Sequence, residues 1–204
     1  ELVQMHNGHY AEVPAAAEKA VERDETSAIA QVALAKALLA GADIEPAIAA
    51  AESALDLATG SPLDTVLAEL ALAEGYAADG RIDEALMAAE RAVAQAPDFA
   101  YAWVELAYHR TDALAYEEAQ LAVDQALNLI PDYLPALIAR LRLDRRRDTL
   151  EESADVVAGV EELYSELPRG AYALGLYEMF SESYDAAVDH FDTALELDSD
   201  DYLA

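Results

Sequence analysis

The chain has 204 residues, room for one domain of ordinary size, and 41 acidic against 12 basic side chains leave a formal net charge of −29. That balance argues against nucleic acid and against an anionic membrane surface as partners, because both need a basic footprint on phosphate. A 54% hydrophobic content with interspersed charges excludes a disordered chain, the absence of cysteine excludes disulfides, thiolate metal sites and a cysteine nucleophile, and charge-free runs such as Thr26–Ala35 reach half of the roughly 20 residues that a membrane span needs.

Alanine supplies 47 residues, only Lys19 and Lys36 are lysines, and β-branched residues are sparse, so the composition predicts an all-helical protein. The sequence opens Glu1-Leu2-Val3-Gln4 without an initiator methionine or a basic-then-apolar leader, so a targeting segment has been removed or was never included. Residues 1–25 then carry Tyr10, Val13, Ala17 and Ala20 at helical offsets of three and four. The set returns as Ile44, Ala47, Ala51, Ala54, and again as Ile82, Ala85, Ala89, Ala92. It continues as Tyr116, Ala119, Val123, Ala126, then Leu150, Ser153, Val157, Val160, and finally Tyr184, Ala187, Phe191, Ala194. The steps are 34, 38, 34, 34 and 34 residues, so these columns read as the buried stripe of one repeated helix. Acidic residues fall at its start in every copy (Glu12, Glu45, Asp83, Glu117, Glu151, Asp185), where they complement the helix dipole. Pro14 and Pro46 also stand near the start, where a missing N–H does least harm.

A partner helix precedes each copy, with inward pairs Leu34-Ala35, Leu72-Ala73, Leu106-Ala107, Arg140-Leu141 and Leu174-Gly175. Asn7-Gly8, Gly41 and Gly80 punctuate the turns, where a left-handed residue is wanted. The predicted units are a leading helix in 1–25, then repeats at 26–61, 62–98, 99–132, 133–166 and 167–201, with 202–204 opening a further one. Both ends fall within a unit, so the sequence reads as a segment of a longer protein. The 38-residue step predicts a longer loop around Thr59–Asp64. The unit at 133–166 departs most: Arg140 and Asp144 replace apolar residues, and Ser165 stands in place of a closing proline.

Trp103, Leu106, Ala107, Tyr116, Ala119, Val123, Ala126 and Pro131 resemble the tetratricopeptide repeat, a 34-residue helix–turn–helix, and the other units look similar. The resemblance implies a right-handed all-α solenoid whose first helices line a concave groove where peptide segments dock. By helical arithmetic the groove-ward residues are Ile29, Val32, Lys36; Leu67, Leu70, Glu74; Tyr101, Val104, Tyr108, Asp112; Pro135, Ile138, Arg142, Arg145, Arg146; and Arg169, Tyr172, Leu176, Phe180. The candidate partner contacts are Tyr101, Val104, Tyr108, Ile138, Arg142, Arg145, Arg146, Arg169 and Tyr172. The apolar members either meet a ligand or pack between neighbouring first helices. Five of the ten arginines lie between Arg140 and Arg147. They either hold an acidic peptide bidentately or balance Asp112, Asp144, Asp148 and Glu178. The Lys and Asn of the family's carboxylate clamp are not matched.

No catalytic, cofactor or metal site is expected. His6 and His9 lack a third ligand, His109 and His190 lack a nucleophile at a diagnostic spacing, and no phosphate-binding glycine motif occurs. The surplus acidity suits either a salt-adapted surface or steering of a basic partner. These features predict a non-enzymatic scaffold for a protein or peptide partner, with a spacer or self-associating module as the alternative; neither nucleic-acid binding nor membrane insertion is expected. The compartment is not encoded in any motif.

Overall fold

A computed structural model describes residues 15–201, with side chains through Leu197. Among the described residues every regular element is a helix. After α1 (residues 15–23) come five helical hairpins: α2 (Ala28–Ala40) with α3 (Ile44–Leu57), α4 (Pro62–Ala78) with α5 (Ile82–Gln95), and α6 (Ala100–Asp112) with α7 (Tyr116–Leu129). The last two are α8 (Leu134–Arg147) with α9 (Ala154–Tyr164) and α10 (Pro168–Phe180) with α11 (Tyr184–Asp201). Tyr10, Val13, Pro14, His6, His9 and residues 202–204 lie outside the described residues.

Local chemistry sets the helix starts. The Ser27 hydroxyl accepts from the Ala30 N–H at 3.2 Å, and the Ser61 hydroxyl from the Asp64 N–H at 3.3 Å, with Pro62 in the first position of α4. α3, α5 and α7, like the first helices α6, α8 and α10, have no such side-chain cap; α3, α5, α7 and α11 begin with one or two carboxylates in the first turn. The turn within each hairpin places one residue in the left-handed region: Ala42, Gly80, Leu114, Asp148 and Glu182. They recur at steps of 38, 34, 34 and 34, in register with the sequence columns. Gly41, expected to be that residue in the first hairpin, has φ −84°, and Ala42 at φ 62° takes the role. The following N–H closes the turn: Arg81 donates to the Tyr76 carbonyl at 2.8 Å, and Ala115 to that of Arg110 at 2.9 Å. These bonds hold non-glycine residues where a side chain alone would disfavour them.

The hairpins stack in chain order. First helices touch first helices from α2 through α4, α6 and α8 to α10, and each second helix packs on its own partner. The small-residue columns carry this packing: Ala51, Ala85, Ala89, Ala92, Ala119 and Val123 are wholly buried. With so little side-chain volume between them, helices approach closely, and dispersion contacts supplement the burial of apolar area. Gly75 shows the limit, since a Cβ there would stand 2.8 Å from Ile48 Cγ1. Two apolar clusters result and meet on α8, which gives Ala136 and Ala139 to one and Leu134, Leu137 and Ile138 to the other.

The irregular fourth unit is held by polar groups. Asp144, 2% exposed, accepts from Arg140 Nε at 2.9 Å and from the Ser153 hydroxyl at 2.7 Å, both on Oδ2. Ser153 occupies the column filled by alanine in the other described repeats and is itself wholly buried. The first turn of this second helix is tightened into a 3-10 turn, Leu150–Ser153, ahead of α9.

Candidate partner-binding site

Successive first helices present one side to each other and one to solvent, and α6, α8 and α10 leave a cavity of about 260 Å³ between them. Tyr101, Val104, Glu105 and Tyr108 line it from α6, Pro135, Ile138 and Arg142 from α8, and Arg169, Tyr172, Leu176 and Phe180 from α10. Seven of the nine candidate contacts therefore come together here. Arg145 and Arg146 do not join them. Arg146 donates to Asp112 Oδ1 at 3.3 Å, and Arg145 is exposed in the last turn of α8.

Val104 and Ile138, read from sequence as partner contacts, are 0% and 9% exposed and floor the cavity as packing between first helices. Val32 and Leu70, at the same register, are buried in the same way. What remains accessible is polar and aromatic. The Arg142 guanidinium stacks on the Tyr108 ring, 4.5 Å from its centroid. Tyr172, nearly half exposed, leans on Phe191 of α11 with ring centroids 5.8 Å apart. Among the described residues, neither Arg142 nor Arg169 has a carboxylate within ion-pair distance, whereas Arg140 is held by Asp144, Arg110 by Glu90 and Arg146 by Asp112.

The α4 side of α6 has the opposite polarity. Lys36 Nζ donates to Glu74 Oε1 at 2.6 Å and lies 5.7 Å from the centroid of the Tyr101 ring, and the Tyr101 hydroxyl reaches the same Glu74 oxygen at 3.5 Å. Glu105 sits between this group and the arginines, 8% exposed. Burial, and then the neighbouring Glu74 charge, push its carboxyl up to about 7, against the lowering pull of the Tyr101 hydroxyl, Lys36 and Arg142. Burial also raises the hydroxyls of Tyr101 and Tyr108 and lowers the imidazole of His109, whose buried Nε2 has no partner. Glu105, four residues after Tyr101, falls on the same face but is not among the groove-ward residues named from sequence. Reading down its own column finds it: Ala33, Ala71, Glu105, Ala139 and Ala173, one acid in a row of alanines.

Comparison with protein-family models and with curated proteins finds no match in sequence. Solved structures do align. TTC0263, a thermophilic TPR protein of Thermus thermophilus, has a TM-score of 0.68 at 20% identity, over 84% of this chain and 91% of its own. YrrB, a TPR protein with an unusual peptide-binding site, gives 0.52 at 20% identity over 91% and 93%, and MamA gives 0.53 at 18% over 84% and 98%. The fold is that of the tetratricopeptide repeat.

Among the described residues no cluster of His, Asp or Glu has the makings of a metal site, and no helix is long and apolar enough to cross a membrane.

Glu105 carries a testable pH dependence. Its carboxyl keeps a proton in the folded chain up to about pH 7, while the unfolded chain releases it near the ordinary 4.5. Across that window the folded state binds more protons, so the Glu105 contribution to stability falls as pH rises and is level above it. Denaturation of wild type beside Glu105→Gln should therefore show the variant gaining relative stability between about pH 4.5 and 7. A constant difference across the window would mean that Glu105 ionises normally.

Proposed function

We propose that this chain is a protein-interaction scaffold that docks a peptide segment on its concave face, with an acidic group of that segment on Arg142 and Arg169. The observation that carries the reading is the cavity between α6, α8 and α10, where two guanidiniums without carboxylate partners stand beside Tyr101, Tyr108 and Tyr172. In a molecule with a net charge of −29, cations left unneutralised in a recess are the place for an outside anion. Tyrosine rings add apolar area with a polar tip, which suits a wet groove. The likeness of the fold to YrrB, described as having an unusual peptide-binding site, supports the same reading. No catalytic constellation accompanies the cavity, so the role proposed is non-enzymatic.

The test is anisotropy titration with fluorescein-labelled peptides that carry one glutamate beside aromatic residues. Arg142→Glu/Arg169→Glu should weaken binding at least about tenfold, since charge-assisted bonds contribute about 1.5–3 kcal/mol each. Arg147→Glu, outside the cavity, should change it by less than about twofold. Equal affinity for the double variant and wild type would remove the arginine part of the reading.

Self-association has its own supporting observation: Tyr184, Val188 and Leu195 leave an apolar stripe on α11 that is 63%, 56% and 43% exposed. Mass measured by light scattering across a concentration series separates the two readings.

A further inference from the structure

The fold has no use for an acid at position 105. In the flanking repeats the same register holds Ala71, Ala139 and Ala173, all buried where first helices meet. A buried carboxylate is costly unless a cation or several donors meet it. The nearby cations do not pair with it: Lys36 is bonded to Glu74 at 2.6 Å, and Arg142 lies over the Tyr108 ring, outside ion-pair distance of Glu105. Among the described residues no cation lies within ion-pair distance of Glu105, and the Tyr101 hydroxyl beside it donates to Glu74 Oε1 at 3.5 Å. Yet the side chain lines an open cavity whose walls include Tyr101, Tyr108, Tyr172 and Phe180. Ring faces and a carboxylate together favour a positive charge.

We propose that the docked segment carries a basic side chain beside its acidic group, and that this cation seats against Glu105 while the acid rests on Arg142 and Arg169. The inference rests on the docking reading above and sharpens it: the partner is a peptide of mixed charge. A polyacidic tract would meet Glu105 and Glu74 as like charges, and a polybasic one would meet the two arginines. Only a segment that alternates sign satisfies both ends of the recess, and the same demand fixes its direction along the solenoid. The charged and titratable groups that surround Glu105 are Lys36 from α2, Glu74 from α4, Tyr101 and Tyr108 from α6, Arg142 from α8 and Arg169 from α10.

The probes are fluorescein-labelled alanine-based peptides holding one glutamate and one lysine at successive spacings, each paired with a version in which alanine replaces the lysine. For at least one spacing, the lysine should tighten binding to wild type by about tenfold at pH 8, as expected of a charge-assisted bond. Against Glu105→Gln the same lysine should gain less than about twofold. Against wild type at pH 6 its benefit should also shrink, a readout that a purely structural role for Glu105 would not move. A lysine that makes no difference, or the same difference in both proteins, overturns the pairing and leaves the arginine-dependent docking intact. Binding that ignores Arg142→Glu/Arg169→Glu overturns the docking reading beneath it, and failure of every peptide to bind overturns both. Circular dichroism of each variant confirms that helix content is unchanged.

Discussion

Gly170→Ala should destabilise the chain by about 3 kcal/mol or more, the upper end for overpacked cores, and should open the last hairpin first. Gly170 is the third residue of α10, and its N–H donates to the Leu167 carbonyl at 2.9 Å. A Cβ at this position would fall on the carbonyl group of Tyr164, at the end of α9. That obstacle is backbone, so no rotamer change relieves it; the end of α9 and the start of α10 must separate. Separation is resisted because the Tyr164 hydroxyl donates to the Asp132 carbonyl at 2.6 Å, tying α9 to the loop before α8. The other glycines give the contrast. At Gly75 a Cβ would meet the movable Ile48 side chain, and at Gly159, within α9, it would meet nothing, so Gly159→Ala should stabilise by up to about 1 kcal/mol through helix propensity. Denaturant midpoints should rank Gly159→Ala above wild type and Gly170→Ala far below. Hydrogen exchange in Gly170→Ala should rise in α10 and α11 before it rises in α2 to α7. Because Arg169 and Tyr172 belong to α10, the same variant should also lose the recess. An unaltered midpoint would mean that the α9–α10 junction yields freely.

The repeat was legible in the sequence because a solenoid asks the same question of every unit. Ala51, Ala89 and Val123 answer it at the same offset, and each is buried. Of the turns, those near Gly41 and Gly80 were legible, the first one residue early. The left-handed residue is glycine only at Gly80, while Ala42, Leu114, Asp148 and Glu182 are held there by the hydrogen bonds of the turn. No single-residue preference announces such a position. At the recess, helical arithmetic puts Tyr101, Tyr108, Arg142, Arg169 and Tyr172 on one face of their helices, and all five line one cavity. It says nothing of which partner a long side chain finds, so Arg146, aimed the same way, ends on Asp112. Glu105 stands four residues after Tyr101 on the same face, so its direction was legible as well; a comparison between repeats adds that it breaks a column of alanines, an acid where volume is scarce.

Asp144→Ala should cost about 3 kcal/mol, although it removes a charge from the interior. The carboxylate is 2% exposed and serves two donors at once, Arg140 and Ser153. Removing it leaves the Ser153 hydroxyl buried without an acceptor, at about 1–3 kcal/mol. It also leaves a guanidinium without its anion. The usual cost of about 3–5 kcal/mol for breaking a buried pair is an overestimate for that part, because the Arg140 side chain is 28% exposed and water can take over some of its solvation. Replacing the whole group should do the reverse. Arg140→Leu/Asp144→Leu/Ser153→Ala puts apolar residues where other repeats hold Leu72, Leu106 and Leu174, and Ala85 and Ala119, and fills the buried place of Asp144, a register that holds Leu38 and Tyr76 in two repeats and Arg110 and Glu178 in two; it should equal or exceed wild type in thermal midpoint. Such an outcome would identify the triad as a polar substitute for the missing leucine contacts between α8 and α9. A triple variant less stable than Asp144→Ala would instead show that the 3-10 turn at Leu150–Ser153 depends on the carboxylate for its geometry, with the hydrogen bond and not the packing fixing how the fourth hairpin closes.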